Sequence, residues 1–276
     1  PAKRNRCICP QCYHINVYPR PEEGPPRHRL FALEYHNSRA RTVHTGRFFK
    51  KPDAEDLARF SAAEQRWQAL EPTFVPDQVI LAGDETDRLH RWGYKRYREL
   101  FNDRQLLGLE LSCRLVSACT NERVRHALAT NLSDLLRYQN MLCRYDSMAL
   151  KSLDIFSVHG YPVGLVQCES NMIGIINGSG TPVGSGGWKN IIKKYAKAKK
   201  YCDMPFETSQ KNGRKMILPI KGEWIGEQQN GGSKRTVVIK CISSTRAEIP
   251  EQSLDAVFTD PPYFGNVQYA ELMDFC

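Results

Sequence analysis

The chain has 276 residues, 41% of them apolar, and 39 Lys and Arg against 30 Asp and Glu give a formal charge of +9. At roughly 100–200 residues per domain this is one large domain or two small ones, with enough apolar material for a core. No apolar run reaches the ~18 residues a membrane-crossing helix needs, and the opening PAKRNRCICP lacks the apolar stretch of a secretory signal. The sequence therefore excludes a membrane helix and points to the cytoplasm, where the ten cysteines read as thiols or metal ligands rather than disulfides.

In chain order, residues 1–51 come first as a Cys-, Arg-, Pro- and His-rich module with little periodicity. They hold eleven Lys and Arg against three Asp and Glu, whereas the remainder holds 28 against 27. A basic block beside a nearly neutral body suggests a polyanion, most simply nucleic acid; a solvated basic face explains the same count. Within the block, Cys7, Cys9 and Cys12 form C-x-C-P-x-C. The Cys9-x-x-Cys12 spacing lets two thiolates meet one tetrahedral metal, with zinc the expected ion, but a second pair is needed to close the site. The Pro-rich 18–26 reads as an extended connector.

Residues 52–150 read as a helical region. Leu57, Phe60, Ala63, Trp67 and Leu70 recur every three or four residues over 53–70, with Asp53 as N-cap. A second helical stretch runs over 86–117 with a break at Asn102–Asp103 and Asp103 as the new cap. A third runs over 121–143, with Val124, Leu128, Leu132, Leu135 and Leu136 on one face.

From 151 to 276 the texture becomes α/β. Short β-like runs at Gly164–Cys168, Met216–Ile220, Thr236–Cys241 and Ala256–Thr259 alternate with glycine-rich loops and a helix, WKNIIKKYAKAKKYC, at 188–202. The lysines of that helix read as a solvated face, or as phosphate contacts if the partner is DNA. The glycine-rich stretch 177–187 reads as a mobile loop. A phosphate-contacting loop at a helix N-terminus is the main alternative, and a direct cofactor loop the remaining one.

The sharpest signal is Leu254-Asp-Ala-Val-Phe-Thr-Asp260-Pro261-Pro262-Tyr263. An apolar run that reads as a doubly buried strand leads into an acid, two prolines and an aromatic residue. Two prolines cannot continue a ladder, so the chain must turn out at Asp260, at the strand edge where ligands bind in open parallel sheets. The Asp260 carboxylate and the rigidly directed Pro261 carbonyl are acceptors suited to a planar NH₂ group. Tyr263 is placed to lie against the ring that bears it. Acceptors of this kind leave the amine lone pair aimed out of the plane, toward an electrophilic methyl group. A base in a duplex would have to be flipped out to reach them.

This segment resembles the catalytic motif of S-adenosylmethionine-dependent amino-methyltransferases. TDPPYFGNVQYAELMDF is similar to the adenine-specific DNA methylases that carry an embedded zinc ribbon, and the likeness extends through 18–36, 46–60, 83–109 and 178–207. The resemblance implies an α/β fold: a partial Rossmann-like methyltransferase sheet preceded by the Cys/His-rich module and a helical insertion. It implies S-adenosylmethionine as cofactor, DNA as partner and the adenine N6 amine as target, since Asp-Pro-Pro-Tyr goes more often with adenine than with cytosine. Carried over by position, Asp260 and Pro261 accept from the amine, Pro262 sets the turn and Tyr263 stacks. Phe264 and Asn266 are candidates for substrate contact. Ser244, after the run 236–241, falls where such enzymes keep a polar residue near the cofactor adenine.

The chain departs from the family in two places. The acidic glycine-rich element that holds the cofactor does not occur in 1–276, so the family order places it upstream of Pro1. The chain, which opens on Pro and stops just after its strongest motif, reads as an internal piece of a longer, here catalytically incomplete, protein. The second metal-ligand pair is expected near positions 37 and 40, which are Asn37 and Ala40. The His residues at 14, 28, 36 and 44 are possible substitutes, and a partial ribbon competes with a complete zinc site. The same acceptor turn also suits a base in RNA or a protein amide, and a non-catalytic nucleic-acid-binding module is a further alternative.

Overall fold

The computed structural model describes residues 2–3, 6–17, 20–44, 46–221, 238–261 and 268–275. The chain divides into two compact units, residues 1–195 together with 265–276, and residues 196–264.

The first unit opens with a small antiparallel sheet of β1 (Ala2–Lys3), β2 (Arg6–Ile8) and β3 (Ile15–Val17), in which Cys7 pairs with Asn16. A hairpin follows, β4 (Leu33–His36) against β5 (Arg47–Lys50). It is tied to what comes next by charged and phenolic groups. Glu34 pairs with Arg47 at 2.6 Å and accepts from the Tyr145 hydroxyl at 3.1 Å, while the Tyr35 hydroxyl donates to Asp56.

Helix α1 (Ala54–Gln68) starts where the sequence places it: an Asp53 carboxylate oxygen accepts from the Asp56 amide at 3.0 Å, and Asp56 reciprocates at 3.1 Å. Beyond it, 86–117 is not one long helix. α2 (Asp87–Arg91) stops at Gly93, whose φ of +85° suits glycine and whose missing Cβ leaves room for Gly24, 2.6 Å from where that Cβ would sit. The Pro-rich connector is thus docked against this turn through Pro21 and Gly24. A 3-10 turn at Tyr97–Leu100 leads to α3 (Asp103–Ser117). Its cap is Asn102 rather than Asp103: the Asn102 side chain accepts from the Gln105 amide at 2.9 Å, and Gln105 closes the box.

Helix α4 (Glu122–Leu136) is capped by Asn121. It ends seven residues short of the expected 143, and residues 137–143 form an irregular segment in which Asn140 and Cys143 are fully buried. Within the expected apolar face Leu135 is completely buried, yet Val124, at the far end, is exposed. α1 packs on α3, and the core gathers Trp67, Leu89, Leu100, Leu106, Leu109, Leu135 and Leu142.

Two minimal hairpins follow, β6 (Tyr145–Asp146) with β7 (Lys151–Ser152), and β8 (Ile175–Ile176) with β9 (Pro182–Val183). The turn and second strand of the latter lie inside the glycine-rich stretch. Asn177 Oδ1 organises its turn, accepting from Ser179 N at 3.1 Å and Thr181 N at 2.8 Å. Helix α5 (Trp188–Asp203) matches the expected 188–202 within one residue. Its first amides are already taken, Trp188 N by Met172 O at 2.9 Å and Lys189 N by Ile173 O at 3.0 Å, so the helix start is not open to a phosphate.

The second unit contains the end of α5 and a regular hairpin, β10 (Phe206–Lys211) against β11 (Arg214–Pro219). Asn212 and Gly213 make its two-residue turn, with φ of +52° and +74°. That pattern matches the twist of an antiparallel pair and favours Asn-Gly. The run Met216–Ile220 is therefore largely strand, paired antiparallel.

Among the described residues every strand pairing is antiparallel and no sheet exceeds three strands. The parallel sheet implied by the resemblance is not among them. Gly164–Cys168, residues 238–241 and Ala256–Thr259 carry no strand; residues 236–237 fall outside the described ones. The physical reason is the same for each: a strand exists only as part of a hydrogen-bonded ladder, and among the described residues none forms with these segments, Cys168 N making a single bond to Cys143 O at 2.8 Å. Val257 and Phe258, expected to be buried on both faces, are 71% and 94% exposed. The short α6 (Tyr269–Met273) returns to the first unit. Among the described residues no helix is long and apolar enough to cross a membrane.

Candidate active site

Asp260 and Pro261 lie in an exposed segment without regular structure. Both residues are exposed rather than walled in by packed side chains. Pro262, Tyr263, Phe264 and Asn266 fall outside the described residues. Ser244 begins a 3-10 turn (Ser244–Arg246) and is exposed; its neighbours Ser243 and Thr245 share a hydroxyl contact at 2.9 Å. No hydrogen bond among the described residues joins Ser244 to Asp260. Two cavities, of about 290 and 90 Å³, are lined by residues that include Pro21, Tyr94 and Lys95 in the first and Tyr97, Phe101 and Phe275 in the second. Neither contains Ser244, Asp260 or Pro261.

Residues 268–275 are tied to distant parts of the first unit by contacts that no local pattern in the sequence announces. The Glu271 carboxylate accepts three consecutive amides of one turn, Asp84 N at 3.2 Å, Glu85 N at 2.9 Å and Thr86 N at 3.3 Å. A Cβ at position 83 would overlap the Glu271 carboxyl carbon, so a larger residue than Gly83 would displace that carboxylate. The Tyr161 hydroxyl donates to the Glu271 carbonyl at 3.0 Å. Four residues on, Phe275 enters an aromatic cage: it stacks on Phe101 at 5.9 Å and meets Phe156 and Tyr161 edge-on at 6.3 and 6.5 Å. Leu272 and Phe275 are each 7% exposed. The signal was present in GDET (83–86) and in the acid and aromatic of AELMDF (270–275), but nothing local announces that the two segments meet.

The cysteine turn forms as the spacing implies. Cys9 N donates to His14 O and Tyr13 N to Cys9 O, both at 2.9 Å, and Tyr13 takes a left-handed φ of +58°. The backbone amides of Cys12 and Gln11, with the Cys12 thiol, point at the Cys9 sulfur and pull its pKa below the usual thiol value. That arrangement suits a thiolate ligand. Cys7, on β2, is exposed.

The expected second half of the site has the turn without the ligands. Asn37 Oδ1 accepts from Arg39 N at 3.0 Å, and Ala40 N donates to Asn37 O at 3.0 Å. The amide oxygen of Asn37 therefore closes this turn by itself. Among the described residues no three His, Cys, Asp or Glu side chains converge on a common point. Cys9 and Cys12 supply two of the four ligands a zinc ribbon takes, which is half a site, and no step of the chemistry is assigned to a metal. Of the other cysteines, Cys143 is fully buried, donates to the Arg137 and Tyr138 carbonyls, and is pushed up to about 12 by burial. It is a packed thiol, as is Cys168, raised for the same reason.

Compared with family models, with curated proteins and with solved structures, the chain gives no match in any of the three.

Proposed function

We propose that the chain carries the amine-accepting turn of an S-adenosylmethionine-dependent methyltransferase that acts on the N6 amine of adenine in DNA. The observation that carries the reading is the run LDAVFTDPPY, together with the solvent-open position of Asp260 and Pro261. Asp260 accepts one amine hydrogen and the Pro261 carbonyl the other. Pro262 holds the turn, Tyr263 stacks on a base taken out of the duplex, and Phe264 and Asn266 line the target. Fixing both hydrogens in plane leaves the nitrogen lone pair directed out of it. S-adenosylmethionine supplies the methyl group when bound; the glycine-rich element expected to hold it does not occur in 1–276, so the proposal assigns to this chain the recognition of the base.

The test is Asp260→Ala in the full-length protein, including the cofactor element expected upstream of Pro1, with labelled methyl counted separately in DNA, RNA and protein. Loss of one positioned electrostatic partner lowers transfer by about 10²–10³-fold. Undiminished label in DNA refutes the assignment, and label in RNA or in protein amides moves it to those substrates. One observation favours a second reading, a nucleic-acid-binding module without methyl transfer: the motif's leading run, including Phe258, is exposed and irregular. Nucleic-acid binding that survives deletion of residues 1–51 contradicts the form of that reading in which the basic N-terminus carries the function.

A further inference from the structure

The near-neutral balance of residues 52–276 conceals a second basic block. Residues 188–221 hold ten Lys and Arg against two Asp and Glu, as concentrated as the N-terminal block, and the remainder of 52–276 offsets it with 18 against 25. Most of this charge lies on α5 (Trp188–Asp203), one continuous helix of 16 residues. At 3.6 residues per turn and 1.5 Å per residue, Lys189, Lys193, Lys197 and Lys200 fall within about 80° of arc, a single ridge about 16 Å long. All four are exposed, and among the described residues no carboxylate lies within ion-pair reach of any of them. The opposite side of the helix is occupied by the protein: Ile191 is 3% exposed, and Trp188 Nε1 donates to Ser112 Oγ at 2.9 Å. Lys194 stands apart from the ridge and is paired with Asp134 at 2.7 Å.

We infer that this lysine ridge is a binding surface for the phosphate backbone of duplex DNA. Four unneutralised cations along one straight element meet a polymer that carries a charge every ~1.7 Å of its axis. A basic helix can instead lie on an anionic membrane, but only by sinking a free apolar face, and the apolar face of α5 is already packed at its N-terminal half. A helix of ~10–12 Å diameter suits the ~12 Å major groove of B-form DNA, whereas the major groove of A-form RNA is too narrow to admit it. The surface stands on charge and packing, independent of whether Asp260 takes part in methyl transfer.

The experiment titrates the full chain against a fluorescein-labelled mixed-sequence DNA duplex at several KCl concentrations. The quadruple Lys189→Gln, Lys193→Gln, Lys197→Gln, Lys200→Gln variant is compared with wild type and with Lys194→Gln as control. Circular dichroism and the urea midpoint establish that each variant is folded. The expected result is a loss of at least tenfold in affinity at low salt and a salt slope shallower by about 3–4, at roughly 0.9 per phosphate contact. Lys194→Gln stays close to wild type. Affinity and slope unchanged in the quadruple variant overturn the inference. So does tighter wild-type binding to duplex RNA of the same sequence or to phosphatidylserine vesicles. The methyl-transfer reading is scored separately, by methyl label, so its failure leaves this result intact.

Discussion

Residues 1–195 with 265–276, and residues 196–264, spend their apolar side chains in opposite ways. Every member of the buried core belongs to the first set. Among the described residues of the second none is buried, and Met216, Ile217, Val238, Ile239, Val257 and Phe258 are all exposed. Yet by pattern alone the second set looks as well organised as the first. Local pattern announces that a segment could be a strand or helix; burial follows only where another element covers it. An isolated two-stranded hairpin such as β10–β11 is marginal in water for that reason. Asp260 lies in the uncovered set, and Glu271 and Phe275, 11 and 15 residues further on, are anchors of the covered one.

The contrast can be broken most forcefully at Phe275. Phe275→Ala empties the aromatic cage and costs about 3–5 kcal/mol of stability, read from urea denaturation of the full chain. Ile217→Ala, on the exposed hairpin, stays within roughly 0.5 kcal/mol. Equal effects at the two sites contradict the division between covered and uncovered residues.

A smaller loss is expected at Glu271. Glu271→Ala leaves the Asp84, Glu85 and Thr86 amides without their charged acceptor and costs about 1.5–3 kcal/mol, by the same measurement. A wild-type midpoint in this variant shows that the clamp does not hold the tail.

Glu110 sharpens the comparison through pH. Its carboxylate is buried and accepts from Thr73 N at 3.0 Å, Phe74 N at 2.8 Å and Arg114 Nε at 2.6 Å. Burial pushes its pKa up, but the two amides and the guanidinium more than offset this and hold it below the usual glutamate value. A carboxyl that titrates lower folded than unfolded contributes fully above the unfolded value, about 4.3, and the contribution is lost as pH falls through the folded value. The stability of wild type therefore declines below about pH 4.5 more steeply than that of Glu110→Gln, which is itself weaker at pH 7 by roughly 1–3 kcal/mol. Parallel pH profiles contradict the role given to this strap. Glu169 behaves in the reverse sense: burial raises its pKa, with Arg104 and Asn102 countering only in part.

What the sequence made legible was local. Asp53 as a cap, helix α5 to within a residue, the Cys9–Cys12 turn and the break before α3 all depend on neighbours three or four positions apart. The cap at that break is nonetheless Asn102, because an amide oxygen one residue earlier reaches the Gln105 amide. The Asn212–Gly213 turn was readable from its dipeptide and was passed over. The seat of Glu271 on 84–86 and the entry of Phe275 among Tyr97, Phe101, Phe156 and Tyr161 join segments more than a hundred residues apart, and no period or spacing encodes such a meeting. Positions 37 and 40 show the converse: the turn expected of a metal knuckle is present, held by an asparagine amide in place of a thiolate.

The central claim is that the Asp260 carboxylate accepts a hydrogen from the exocyclic amine of adenine. It is tested most directly by binding the full chain to two single-stranded oligonucleotides that differ only at one position, adenine in one and purine, which lacks the amine, in the other. The account predicts that wild type prefers adenine by about 1–3 kcal/mol, the discrimination of a good bidentate base contact, and that Asp260→Ala loses the preference. Equal affinity of the wild-type chain for both oligonucleotides, or an undiminished preference in Asp260→Ala, contradicts it.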